Sequence, residues 1–260
     1  MKRILIAITG LLLGVAGAQA QEHSQSTTNA ERVLRDACQY LAQAPHFMIK
    51  AELWRERVVE SGQKLQFTRL LDMEVRRPDR FHADVHSTLS DRGFYYDGAE
   101  LTVLDRKQNV FSSAPMPQKI DGALDQAHDR LDIDIPLADL ATSDPYTSLA
   151  GHVQTARRLG TASVLGVNCD HLAFTQDNID WQIWIETGPR PLIRKMVITH
   201  KNEPGEPQFT ALITHWDFAE RIADSDFVFE PPTGASKIEM RGTSSTGNNH
   251  NATISAAESK

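Results

Sequence analysis

Catalysis and metal binding need side chains that attack, exchange protons or coordinate, and few stretches of this 260-residue sequence bring such groups together. Cys169 and His171 lie two apart in an alternating run, so they share one strand face with Leu165, Val167 and Ala173. A thiolate beside an imidazole can act as nucleophile and base, or supply two metal ligands. Two residues along a strand span roughly 7 Å at Cα, which permits chelation but leaves a tetrahedral metal two ligands short. A core thiol beside a hydrogen-bonded histidine produces the same pattern. His82, Asp84 and His86 alternate with Phe81, Ala83 and Val85, and read as a solvated face. Their two imidazoles are about 13 Å apart at Cα on a straight strand, too far to share a metal. No Gly-x-Ser-x-Gly, His-Glu-x-x-His, glycine-rich phosphate loop or Cys-x-x-Cys occurs. The expectation is therefore no enzyme, no catalytic residue, no metal and no cofactor.

Binding is better served. Phe47, Ile49, Leu53, Phe67, Leu71, Phe81, Val85, Trp181, Ile183, Ile185, Phe209 and Ile213 fall on one side of alternating segments. Such a surface takes up hydrocarbon at about 0.8 kcal/mol per buried methylene, or is filled by helices and is only a core. Counting by twos from Leu71 through Met73 and Val75 puts Arg77 on that same side, just before Pro78. A charge facing an apolar surface needs hydrogen-bond partners, or it snorkels to water.

The elements that must position these residues follow from period and punctuation. Thr28-Asn29-Ala30-Glu31 has capping-box spacing, and Val33, Leu34, Ala37, Cys38 and Leu41 recur at helical spacing until Pro45, which predicts a helix over 29–43. The period then changes to two. Strands are expected through 47–53, 65–75 and 81–85, then a hairpin of Phe94–Tyr96 and Leu101–Leu104 about Asp97-Gly98, and a short strand at Val110-Phe111. Residues 120–142 interrupt them: Ile120, Leu124, Ala127 and Leu131 fit one helix, and Pro136 begins a second. Strands resume at Ser163–Phe174, Asp180–Glu186, Leu192–His200 and Phe209–Phe218, with a last one at Phe227–Phe229. The pattern is α+β: a curved antiparallel sheet, one N-terminal helix, and a helical insertion covering the concave face.

Residues 1–20 read as a cleaved signal peptide. Lys2 and Arg3 precede an uncharged stretch from Ile4 to Ala18, and Ala18-Gln19-Ala20 is a small-x-small cleavage site. That stretch is short for a spanning helix, and no later one is apolar enough. Export into a periplasm is expected, with cleavage after Ala20. There Cys38 and Cys169 either close one disulfide or remain two buried thiols. Residues 21–27 read as a flexible start, 28–241 as one domain and 242–260 as a disordered tail. The net charge of −7, with no Lys/Arg run longer than two, argues against nucleic acid as a partner.

Three stretches, Arg77-Pro78-Asp79-Arg80-Phe81, Phe94-Tyr95-Tyr96-Asp97-Gly98-Ala99-Glu100-Leu101 and Phe227-Val228-Phe229-Glu230-Pro231-Pro232-Thr233-Gly234, resemble the lipoprotein carriers LolA and LolB. The resemblance implies an incomplete β-barrel whose helix-lidded concave face holds acyl chains. It also implies that Arg77 is a lid latch bonding lid backbone. Gly166–Phe174 followed by Asp180–Glu186 is similar to predicted periplasmic proteins catalogued as domain of unknown function 2092, grouped with the same fold. The function expected is a monomeric periplasmic carrier of a lipid, an acylated protein or another hydrophobic ligand in the half-barrel. The alternatives are an envelope interaction or sensor module that binds protein, with a filled core, and, more distantly, an enzyme using Cys169 and His171.

Overall fold

The computed structural model describes residues 29–218 and 222–240. Helix α1 covers 29–42, and its apolar positions Ala30, Leu34, Ala37, Cys38 and Leu41 are all buried. Six antiparallel strands follow: β1 (His46–Val58), β2 (Lys64–Arg76), β3 (Arg80–His86), β4 (Asp91–Tyr96), β5 (Glu100–Asp105) and β6 (Val110–Pro115). Next comes α2 (Ile120–Leu131), then a 3-10 turn at Ala138–Ala141 and α3 (Pro145–Ala150). The second half contains β7 (Thr155–Val164), β8 (Val167–Thr175), β9 (Ile179–Glu186), β10 (Ile193–His200) and β11 (Gln208–Asp217). A 3-10 turn at Asp224–Phe227 and a two-residue strand β12 (Ser236–Lys237) complete the described chain.

All twelve strands form one open, curved sheet in the order β12-β6-β5-β4-β3-β2-β1-β11-β10-β9-β8-β7. The two halves join where β1 pairs with β11, antiparallel, from Met48 opposite Asp217 to Arg55 opposite Phe209. Period-two alternation puts Phe47, Ile49, Leu53, Leu71, Phe81, Ile183 and Ile213 on the concave side, each at most 2% exposed. Helices α1 and α2 and the 138–141 turn pack into that concavity, and their buried residues share one core cluster with the strands. On the convex side the 222–240 segment crosses β4 and β6, where Phe229 packs on Tyr95 and Phe111 at ring centroids 5.3 and 4.9 Å.

Three expectations change. The single strand over Ser163–Phe174 is a hairpin, β7 and β8, turning at Leu165-Gly166, where both residues have positive φ (50° and 79°). Alternation continues on either side of that turn, and leucine is a poor left-handed residue, so the break left little trace. Phe227–Phe229 is not a strand: a 3-10 turn ends at Phe227, and the pairing with β6 comes later and is parallel. The second insertion helix starts at Pro145, not Pro136, with the Asp144 carboxylate accepting from Thr147 N–H at 3.1 Å.

Ile183, fully buried in the middle of β9, is a stringent test of this packing. Ile183→Ala is expected to cost about 2–5 kcal/mol in urea unfolding. Leu165→Asn, which relieves a left-handed leucine that is 64% exposed, is expected to gain up to about 1 kcal/mol in the same measurement.

Candidate functional site

The lid is the stretch between α2 and β7. Helix α2 ends at Asp132 in a left-handed conformation (φ 54°), with capping N–H groups bonded to Ala127 and His128 carbonyls. The chain then turns over the concave face and buries Ile135, Leu137, Leu140 and Ala141. Polar clasps fix it there. From the end of β2, Arg77 reaches between α1 and the lid, and its Nη2 donates to Leu140 O at 2.8 Å and Thr142 O at 3.2 Å. Its Nε donates to Thr142 O at 3.3 Å, and its Nη1 to Ala44 O at 3.1 Å, just past α1. The guanidinium stands 5.1 Å from the centre of the Phe47 ring. Burial lowers its pKa to about 10, and the Asp121 carboxylate opposes that drop. Asp121, on α2, accepts from Ser143 N–H at 2.7 Å and Ser143 Oγ at 2.5 Å. Gln176 Nε2 donates to Leu149 O at 3.2 Å and holds the end of α3 to the sheet.

Under the α3 half of the lid remains a cleft of about 160 Å³. Leu137, Leu140 and Leu149 line it from the lid, and Ile179, Trp181, Met196, Ile198 and Phe209 from β9, β10 and β11. Asp139, Ser148 and Gln176 add polar groups. The Asp139 carboxyl is pushed above the usual range by surrounding protein, although the residue as a whole keeps much of its surface in water. A larger hollow of about 340 Å³ lies on the convex face, between Trp54, Gln66, Lys195, Thr210, Leu212 and the end of β7 at Ser163 and Val164. Its walls are mostly half-exposed side chains, so a molecule there would stay wet. The lidded cleft is the better-built site.

Of the twelve residues expected to form an apolar concavity, Phe47, Ile49, Leu53, Leu71, Phe81, Val85, Trp181, Ile183, Ile185 and Ile213 are buried. Phe67 and Phe209 are only partly so. Most of this surface is thus filled core beneath α1 and α2, and of the twelve only Trp181 and Phe209 reach the cleft. The lid residues and Ile179, Met196 and Ile198 were not singled out from sequence. The β10 pair sits two apart on one strand face, a signal that alternation could have found.

The other candidates have local partners. His171 stacks on Trp184 at 4.1 Å between ring centroids and bonds Gln182 Oε1 at 2.9 Å, while Cys169 is fully buried beside it. His82, Asp84 and His86 are less solvated than expected. His82 stacks on Tyr95 at 4.3 Å, and Arg106 joins Asp84 and Asp91 in an ion-pair network that His86 extends. Cys38 belongs to the main core and Cys169 does not, and both thiols are free. Among the described residues no three His, Cys, Asp or Glu side chains are grouped to hold a metal, and no helix is long and apolar enough to cross a membrane. The signal peptide, the 21–27 start and the tail beyond residue 240 lie outside the described residues.

A family model described as a predicted periplasmic protein (DUF2092) matches residues 30–241. No curated protein matches the chain. Solved structures similar to it include an uncharacterized conserved protein from Thermus thermophilus, 9% identical over 85% of this chain and 99% of that one, at TM-score 0.46. The Mycobacterium tuberculosis lipoprotein LppX is 10% identical over 76% of this chain and 100% of its own, at TM-score 0.47. A LolA superfamily protein from Nitrosomonas europaea is 10% identical over 77% and 97%, at TM-score 0.38.

The two thiols give a direct check on the packing around the site. Burial pushes the Cys38 thiol up to about 12 and the Cys169 thiol upward as well, so neither is a ready thiolate at neutral pH. In the folded protein both are expected to resist a maleimide that labels them promptly in denaturant. A 38–169 disulfide peptide in a non-reduced digest would contradict this arrangement.

Proposed function

Since the chain belongs to the family of predicted periplasmic proteins whose model spans residues 30–241, we propose that it is an exported, monomeric carrier that shelters a hydrophobic or acyl ligand beneath the lid. Its leader is removed after Ala20. The observation that carries this reading is the conjunction of an apolar cleft with a lid held by the side-chain bonds of Arg77. The LolA superfamily and lipoprotein neighbours agree with it in kind.

Size dictates the mechanism. Pockets for drug-sized ligands are roughly 300–1,000 Å³, so a cleft of about 160 Å³ admits a long chain only when the lid rises. Lifting it releases the carbonyls of Leu140 and Thr142 from Arg77 to water. Hydrogen bonds of this charged kind contribute about 1.5–3 kcal/mol when well buried, and less here, where Arg77 is only half-buried. A few methylenes entering at about 0.8 kcal/mol each offset the opening. Arg77 then acts as the latch, and Leu137, Leu140, Trp181, Met196, Ile198 and Phe209 are the ligand-facing residues.

A second reading has one observation in its favour: most of the concave face is already filled by α1 and α2. In that reading the protein is an envelope interaction module that binds protein instead of lipid.

Native mass spectrometry of protein purified from periplasm, followed by organic extraction, is expected to reveal a bound species of lipid mass. In titration with a fluorescent fatty acid, energy transfer from Trp181 is expected to report uptake, and Ile198→Trp, which fills the cleft, to weaken it at least tenfold. A clean apo mass with no uptake overturns the carrier in favour of the second reading. Arg77→Leu shifts the lid toward its open form, so apparent affinity is expected to rise, tenfold for each ~1.4 kcal/mol of latch energy removed. Uptake indistinguishable from wild type would sink the latch.

A further inference from the structure

The cleft does not end at the lid. On the concave side one cross-strand row runs from β8 to β2 through Phe174, Trp181, Ile198, Phe209, Arg55 and Phe67, each opposite the next in register. Adjacent strands are about 4.8 Å apart, so Arg55 stands about 5 Å from the cleft residue Phe209 and about 15 Å from Trp181. The row above it passes through Ala211 and Leu53 and ends at Arg69. Arg57, two residues beyond Arg55, shares its face and stands over the Phe67 ring at 5.6 Å. Arg92 joins from β4, opposite Val85, which pairs with Leu71, two residues from Arg69.

Four guanidinium groups therefore gather on one face at one end of the half-barrel, in a chain whose net charge is −7. Among the described residues none of the four makes an ion pair or donates a hydrogen bond. Asp105 is Arg92's cross-strand partner, but its carboxylate accepts from Gln108 N–H at 3.0 Å. Asp84 and Asp91 engage Arg106 in the network on the convex face. Arg69 is half-buried, and burial together with the fields of Arg55, Arg92 and Arg57 lowers its pKa. Bringing unpaired like charges together costs free energy that an anion in their midst would recover. Arginine forks match phosphate and carboxylate oxygens in pairs.

Resting on the carrier reading, we propose that the ligand is an amphiphile with an anionic headgroup, its chain under the lid and its phosphate or carboxylate on Arg55, Arg57, Arg69 and Arg92. Phe67 and Leu65 stand opposite Arg55 and Arg57 on β2 and give the arginines an apolar floor, with Leu65 36% exposed. The site reads charge at one end and hydrocarbon at the other, and it selects acidic amphiphiles over zwitterionic ones of equal chain length.

The test titrates the full mature protein with lysophosphatidic acid, with lysophosphatidylcholine of the same acyl chain, and with inorganic phosphate, following Trp fluorescence and heat. Wild type is expected to bind the acidic lipid at least tenfold tighter than the zwitterionic one, with the preference shrinking as salt rises. In Arg55→Gln/Arg69→Gln, with its fold checked by circular dichroism, the preference is expected to fall below twofold, because the acidic lipid loses at least fivefold more affinity than the zwitterionic one. Equal affinity for the two lipids in wild type, or a preference that survives the double substitution, overturns the headgroup site and leaves the carrier standing. Phosphate binding as tightly as lysophosphatidic acid overturns it too, by making the cluster a free-anion site. Failure of both lipids to bind overturns the carrier reading and this inference with it.

Discussion

An antiparallel sheet that curves without closing has an apolar inner face and no second sheet to cover it. Most of this molecule follows from that constraint. Helices α1 and α2 fill the concavity over the middle of the sheet, where Phe47, Ile49, Met73 and Ile213 are nearly inaccessible. Beyond the reach of α2 the cover thins to a 3-10 turn and the six-residue α3. Short elements bury little area, so this part of the lid relies on polar clasps at its ends. The cleft lies where apolar cover runs short and hydrogen bonds replace it.

Arg77 illustrates how sequence and fold cooperate. Its position on β2 follows from alternation, and its charge cannot remain there without acceptors. The acceptors it finds are main-chain carbonyls at the end of α1 and in the lid, and among the described residues no carboxylate pairs with it directly. Carbonyls hold the guanidinium less tightly than an ion pair would. They also belong to the two segments whose separation would open the cleft.

Much of this was legible in the sequence because it is periodic. The spacing of Val33, Leu34, Ala37, Cys38 and Leu41 gave α1 its face, and alternation gave the inward rows from Phe47 to Ile213. What escaped notice has no period. The Leu165-Gly166 turn hides between two runs in compatible phase. The aromatic alternation of Phe227–Phe229 imitates a strand, yet two aspartates just before it favour a tight turn. The arginine cluster failed for a different reason. Counting by twos from Leu53 brings Arg55 and Arg57 inward as surely as counting from Leu71 brings Arg77, but Arg69 and Arg92 join them only through strand register, which a single sequence does not supply.

The junction of β1 with β11 also governs the order in which the fold can be assembled. Residues 48–55 find their second neighbour only in residues 209–217, so the sheet keeps two separate halves until nearly all of the described chain is available. Pairings this distant in sequence carry a large loop-closure cost and form late. A polypeptide threaded N-terminus first across a membrane is thereby kept from completing its half-barrel on the wrong side. The same long-range seam that joins the two halves of the sheet therefore sets the moment at which the whole fold can close.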